Sequence, residues 1–291
     1  MAASPDSPAT PRQLAALGRA RLAGAGIEPG EAAMDAELLL REALGGWDRA
    51  RFLAHQDDPA TERTGPAFEA LIERRARREP ISLVLGRREF WGLEFRVTRD
   101  VLTPRPETEL VVEEALACAA TLPRRASVAD VGTGSGCLAV SLAIELPAAS
   151  VLATDVSAAA LEVARENAAR HGVAGRITFE RASLLGGAAG LALVVSNPPY
   201  IPTRDIETLP PEVRLHEPRA ALDGGPDGLD VVRALLAAAL EALMPGGWLV
   251  FEFGDGQAQA VQAAVASSPL EMVRIRADLQ GIPRTAAVRR P

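Results

Sequence analysis

Ser127-Val128-Ala129-Asp130-Val131-Gly132-Thr133-Gly134-Ser135-Gly136 is the stretch on which the fold turns. A short apolar strand runs into a glycine loop, and Cys137 to Leu146 then reads as a helix. Strand, glycine loop and helix in that order form the nucleotide-binding turn of a doubly wound sheet. The glycines let the backbone reverse sharply and approach a ligand closely. Cys137 stands where the dinucleotide fingerprint has its third spaced glycine, which argues against a dehydrogenase. Val151 to Asp155 follows as a second strand, ending in an acid about 20 residues past the loop, the distance at which a carboxylate meets ribose hydroxyls. Asp155 also suits the cap of a helix over Ala158 to Arg170, so both roles stand open.

Toward the C-terminus, Arg176 to Arg181 predicts a third strand with Ser183 and Leu184 at its carboxyl end. Leu191 to Ser196 predicts a fourth, stopped by Asn197-Pro198-Pro199-Tyr200. A proline pair cannot continue a ladder and stiffens the chain where open α/β sheets place their ligand crevices. An amide side chain there, with neighbouring main-chain carbonyls, can accept both hydrogens of a planar –NH2 group. The plain alternative is a proline turn with Asn as its former. Residues 201–228 read as a long irregular loop, a candidate lid. A helix from Leu229 to Leu243, a buried strand from Trp248 to Phe253, a helix from Gln257 to Ala266 and strands at Met272–Ile275 and Ala286–Arg289 complete a mostly parallel seven-stranded sheet.

Toward the N-terminus, Pro104-Arg105-Pro106-Glu107-Thr108-Glu109 reads as a helix start with acids in the first turn. Leu83 to Val97, with a Gly-Arg-Arg turn, predicts a β-hairpin whose Phe90, Trp91 and Phe95 pack between two domains. Before it, apolar spacing from Pro11 to about Arg78 predicts four or five short helices, after a frayed residues 1–11. The expected domains are therefore a helical one at 1–80, a hairpin linker at 81–101 and a sheet domain at 102–291. Arg74, Arg75, Arg77 and Arg78 close the last of the early helices, either as a solvated helix end or as a contact surface for an acidic or RNA-bearing partner.

A net charge of −7 argues against a generic grip on nucleic-acid backbone. Every basic side chain is Arg, with no Lys. Two cysteines without paired spacing and three scattered histidines give neither a disulfide framework nor a metal site. Met1 to Pro11 lacks the apolar core of a signal peptide, and no apolar run approaches the ~20 residues that span a bilayer. A cytoplasmic protein, with no membrane partner, is expected.

Four segments together resemble the bacterial release-factor glutamine methyltransferases: Glu79 through Phe95, Pro104 to Glu109, Asp130 to Gly136, and Ser196 to Tyr200. His216 to Gly225 and Asp278 to Arg284 look like that family's later loop and C-terminal end, so the likeness covers roughly residues 30–290. Asn-Pro-Pro-Tyr alone is shared with adenine and ribosomal-protein methyltransferases; the Pro-Arg-Pro-Glu-Thr-Glu string points to the release-factor branch. Ser183 stands where the family often has an acid.

The resemblance implies a class I methyltransferase fold that uses S-adenosyl-L-methionine to methylate N5 of the glutamine in the Gly-Gly-Gln motif of peptide chain release factors. It implies that Gly132, Thr133, Gly134, Ser135, Gly136, Asp155, Ser183, Leu184 and Asn197 contact the cofactor. Asn197 and the Pro198 carbonyl would hold the glutamine amide, Tyr200 would pack on its stem, and Pro199 would keep the turn rigid. The helical domain would grip the release factor, without direct nucleic acid, in a monomer. The rivals are a DNA adenine methyltransferase, a ribosomal-protein glutamine methyltransferase and a silent nucleoside-binding module.

Overall fold

The computed structural model describes residues 9–291. The chain forms two compact units: one of residues up to Gly86 together with Pro211–His216, the other of Arg87–Pro210 with Glu217–Pro291.

The first unit is helical, with α1 (Pro11–Gly24), α2 (Pro29–Ala43), α3 (Arg49–His55), α4 (Thr64–Ala76) and α5 (Ile81–Leu85). Thr10 and Gln13 form a capping box at the start of α1, with Pro11 in the first turn where its missing N–H costs nothing. Of the expected frayed segment, residues 1–8 lie outside the described residues, while Pro11 is helical. Leu22, Leu39, Leu40, Phe68 and Ile72 meet in the core.

The arginine run at the end of α4 is neither a solvated end nor a free contact surface. Arg75 is 1% exposed and donates to Asp35 at 2.6 Å, Glu31 at 2.7 Å and Glu212 at 2.9 Å. Arg74 forks onto Glu79 and also donates to the carbonyls of Leu83 and Val84. Arg78 donates to the Gly26 carbonyl and to Glu212. Arg77, paired with Glu73, stays on the surface, and the Arg74 side chain is 42% exposed. A buried guanidinium is tolerated because its donors are matched by acceptors.

The second unit opens with the hairpin β1 (Arg87–Phe90) and β2 (Leu93–Arg96). It is shorter than the span expected from sequence. Ile81–Leu85 is helical, Gly86 ends that helix in the left-handed region, and the reversal falls at Trp91-Gly92. Phe90 and Phe95 lie inside the core of this unit and Trp91 packs against it.

Then come α6 (Glu109–Ala119), β3 (Ser127–Val131), α7 (Cys137–Glu145), β4 (Ser150–Asp155), α8 (Ala158–Arg170), β5 (Ile177–Arg181) and β6 (Leu191–Ser196). Pro211–His216 is α9; α10 (Asp230–Ala242), β7 (Leu243–Glu252), α11 (Ala258–Ala266), β8 (Glu271–Ala277) and β9 (Pro283–Arg289) complete the chain. The sheet runs β5-β4-β3-β6-β7-β9-β8, parallel from β5 to β7, with β9 antiparallel to both neighbours. Alternate residues serve opposite faces, as a strand's period of two requires. Val128, Val151 and Leu193 pack under α6–α8, and Ala129, Val194 and Leu249 under α10 and α11. Every residue of β6 is buried. Strand order reverses between β3 and β6, so a crevice opens beyond their carboxyl ends. Residues 201–228 are more regular than expected, with helical turns at Thr203–Thr208 and Arg219–Ala221 around α9 and a bridge between Ile201 and Asp223.

Candidate active site

A cleft of about 390 Å³ lies over the ends of β3, β4 and β6, a size suited to a small-molecule ligand. One wall is the glycine loop. Gly132 and Gly134 line it with φ of 69° and 54°, where a side chain is strained. Thr133 and Ser135 line it too. Gly136 does not. Its added Cβ would sit 3.0 Å from the Cβ of Ala164, so its smallness serves the approach of α7 to α8. Asn167, fully buried on α8, holds the loop from behind by donating to the Ser135 carbonyl at 2.8 Å while bonding both backbone groups of Arg96.

The Asp155 carboxylate faces the cleft and accepts from Gly134 N–H at 3.0 Å and Ser157 N–H at 2.9 Å. Ser157, not Asp155, caps α8 by accepting from Ala160 N–H. Each Asp155 oxygen keeps a lone pair for hydroxyl donors. Ser183 and Leu184 stand on the same side. Leu184 has a φ of 51°, and its carbonyl accepts from the Thr154 hydroxyl at 2.6 Å, which pins the main chain there.

Beneath the loop, Asp130 is 1% exposed and accepts from Thr133 Oγ1 at 2.6 Å and Ala139 N–H at 3.0 Å. Its other oxygen has no partner among the described residues. Burial pushes the Asp130 carboxyl up to about 7, against the pull of those two donors.

Asn197 and Pro199 form part of another wall, at the end of β6. Asn197 Nδ2 donates to Thr108 Oγ1 at 3.0 Å, and its Oδ1 is buried with no partner among the described residues. Thr108 donates in turn to Glu252 Oε2 at 2.6 Å, and Tyr200 donates its phenol proton to Glu252 Oε1 at 3.0 Å. Burial raises the Glu252 carboxyl from its ordinary value, while Thr108 and Tyr200 hold it down. Pro198 is buried and, like Tyr200, does not line the cleft. The Tyr200 ring lies against Gly254, and its carbonyl accepts from Gln257. Arg105 lines the cleft and pairs with Glu217, which is buried beside it.

The sequence-predicted residues therefore gather around one cleft, apart from Gly136, Pro198 and Tyr200. Thr108, Asp130, Asn167 and Glu252 were missed as parts of the site. Glu252 carried a signal: it is the lone acid in the apolar run Trp248 to Phe253. Thr108 carried none, because it sat among residues read as a helix start.

Family models match residues 13–86 as "PrmC N-terminal domain" and residues 111–212 as "Methyltransferase small domain". The release factor glutamine methyltransferase of Geobacter sulfurreducens is 49% identical over 84% of this chain and 84% of its own. That of Cereibacter sphaeroides is 46% identical over 93% of this chain and 95% of its own. Among solved structures, the ribosomal protein L11 methylase of Lactobacillus delbrueckii subsp. bulgaricus is 24% identical, with a TM-score of 0.50 over 68% of this chain and 86% of that one; this likeness bears on the fold alone.

Proposed function

Because the chain belongs to the release factor glutamine methyltransferase family, we propose that its cleft performs methyl transfer to the side-chain amide nitrogen (N5) of the glutamine in the Gly-Gly-Gln motif of peptide chain release factors. S-adenosyl-L-methionine would supply the methyl group from its sulfonium and leave as S-adenosylhomocysteine, and the methylated amide nitrogen would release one proton to solvent. The cleft suits such a donor: an apolar hollow with glycine backbone on one wall and a carboxylate with spare lone pairs at Asp155.

One observation carries the acceptor side of the assignment. Asn197 keeps a buried amide oxygen without a partner at the mouth of β6. A carboxamide nitrogen is a poor nucleophile because its lone pair is delocalised into the carbonyl. Asn197 Oδ1, with a main-chain carbonyl of the proline turn, accepts hydrogen bonds from its N–H groups and turns the lone pair toward the carbon being transferred. Orientation of this kind supplies part of the roughly 7–11 kcal/mol that ideal placement gives. Acceptors held in place this way stabilise positive charge as it grows on nitrogen. Pro198 and Pro199 stiffen the turn, and Tyr200 braces it through Glu252. Gly132 to Ser135 cradle the donor's amino-acid portion, Asp155 holds its ribose, and Ser183 and Leu184 flank its adenine.

The helical unit grips the release factor; the exposed Leu17, Met34 and Leu53 on it offer apolar contact. The enzyme works as a monomer in the cytoplasm and needs no nucleic acid, in keeping with its net charge of −7. No helix among the described residues is long and apolar enough to cross a membrane. Incubation of purified release factor with enzyme and S-adenosyl-L-methionine, followed by mass spectrometry of tryptic peptides, tests the assignment. One added methyl group on the Gly-Gly-Gln peptide is expected. An unmodified peptide, or methyl transfer to duplex DNA instead, overturns it.

A further inference from the structure

The oxygen and nitrogen of a carboxamide are nearly the same size, so shape alone does not decide which way Asn197 points. The choice matters, because the glutamine amide brings N–H donors. An Asn197 that presented its own –NH2 group would face donor with donor.

The neighbouring hydrogen bonds set the choice when Glu252 is ionised, against the upward push of burial on its carboxyl. Glu252, at the end of β7, is 1% exposed and receives one hydroxyl on each oxygen, Thr108 at 2.6 Å and Tyr200 at 3.0 Å. An ionised carboxylate only accepts, and a threonine hydroxyl has a single hydrogen to give. Once that hydrogen is committed to Glu252, Thr108 has only lone pairs left for Asn197. The contact at 3.0 Å must then be made by Asn197 Nδ2, which leaves Oδ1 on the other side. That oxygen is buried and without a partner among the described residues, as an acceptor reserved for an incoming donor should be.

On the reading above, that the amide methylated is a glutamine's, we propose that Glu252 and Thr108 are positioning residues for methyl transfer. The carboxylate draws the Thr108 proton away from Asn197, and Thr108 thereby locks the Asn197 amide with its oxygen toward the acceptor. Neither residue touches the reacting atoms; both act through Asn197. Three segments far apart in the chain thus set one dipole: the turn Pro106–Thr108, the end of β6 and the end of β7.

The test compares Thr108→Val, which keeps the shape and removes the hydroxyl, with Thr108→Ser, which restores it, and with Glu252→Gln. In Glu252→Gln an amide hydrogen faces Thr108 or Tyr200, so the fixed direction of the relay is lost. Methyl transfer to release factor gives kcat and KM, and calorimetry gives cofactor affinity. The chain has two asparagines, Asn167 and Asn197, so selective 15N labelling yields two side-chain –NH2 signals, with buried Asn167 as internal control.

Thr108→Val and Glu252→Gln are expected to lower kcat about 100-fold, the scale of one lost preorganised electrostatic contact. Cofactor Kd stays within about threefold, and the Asn197 –NH2 signal moves while that of Asn167 does not. Thr108→Ser recovers most of the rate and the wild-type Asn197 signal. If Thr108→Val does not fold, Glu252→Gln and Thr108→Ser carry the comparison. Wild-type kcat in Glu252→Gln, or an Asn197 signal unmoved while kcat falls, overturns the relay and leaves the methyl-transfer assignment intact. An inactive wild-type enzyme overturns the assignment itself.

Discussion

The glycine-loop wall and the Asn197 wall of the cleft differ in how far their parts are drawn from one another. Gly134 and Asp155, which bond across the first wall, are 21 residues apart. Asn197 and Thr108 are 89 apart, and Thr108 and Glu252 are 144 apart. The first wall is largely backbone, shaped by turns that only a few residue types permit. The second is a chain of side chains, each fixing the proton of the next. A wall of backbone tolerates most substitutions of its non-glycine members, whereas a relay of side chains fails at any link.

The strongest way to break that contrast is Asn197→Ala. It is expected to reduce kcat by about 10³-fold, the upper range for a lost electrostatic contact in the transition state, because among the described residues no other side-chain amide lines the cleft. Cofactor affinity, measured by calorimetry, should stay within about threefold, since the wall proposed to hold the nucleoside is the glycine loop. Lost cofactor binding with normal turnover at saturation would show that the two walls do not divide the work.

Asp155→Ala probes the other wall and should give the opposite pattern. Losing a charged acceptor for ribose hydroxyls costs about 1.5–3 kcal/mol of binding, or roughly 10- to 100-fold in Kd. Turnover at saturating cofactor should change little. Thermal stability should also change little, because Ser157 keeps the cap of α8. An unchanged Kd would reduce Asp155 to a brace for Gly134 and Ser157.

The same difference in chain separation explains what was legible in the sequence. The strand, loop and helix at 127–146 follow from local spacing, as does the stop at Pro198-Pro199. The proline-rich segment at 201–228 concealed its helical turns, because prolines start short helices as readily as they end strands. The run Arg74 to Arg78 looked like surface charge. Its acids, Asp35, Glu31 and Glu212, are distant in sequence, and nothing local marks Arg75 as buried. Thr108 and Glu252 escaped for the same reason. A hydroxyl next to a helix start and an acid in a strand acquire a role only when β7 brings them together.

The smallest expected effect is a shift in a titration, and it reads the charge on Glu252. Tyr200 is the chain's one tyrosine, so the ultraviolet band of tyrosinate reports on it alone. Burial raises its phenol above the ordinary value, and the charge of Glu252 raises it further. An unfolded chain loses this proton near pH 10 while the folded one keeps it, so the folded state binds more protons above that pH. Stability therefore falls as pH rises past about 10, and the tyrosinate band should grow only as helical circular dichroism is lost. With Gln at 252 the repulsion is gone and burial alone remains, so the band should begin to grow at lower pH, ahead of unfolding. If the two proteins titrate alike, Glu252 carries no charge in the fold, and the Thr108 proton has no fixed direction.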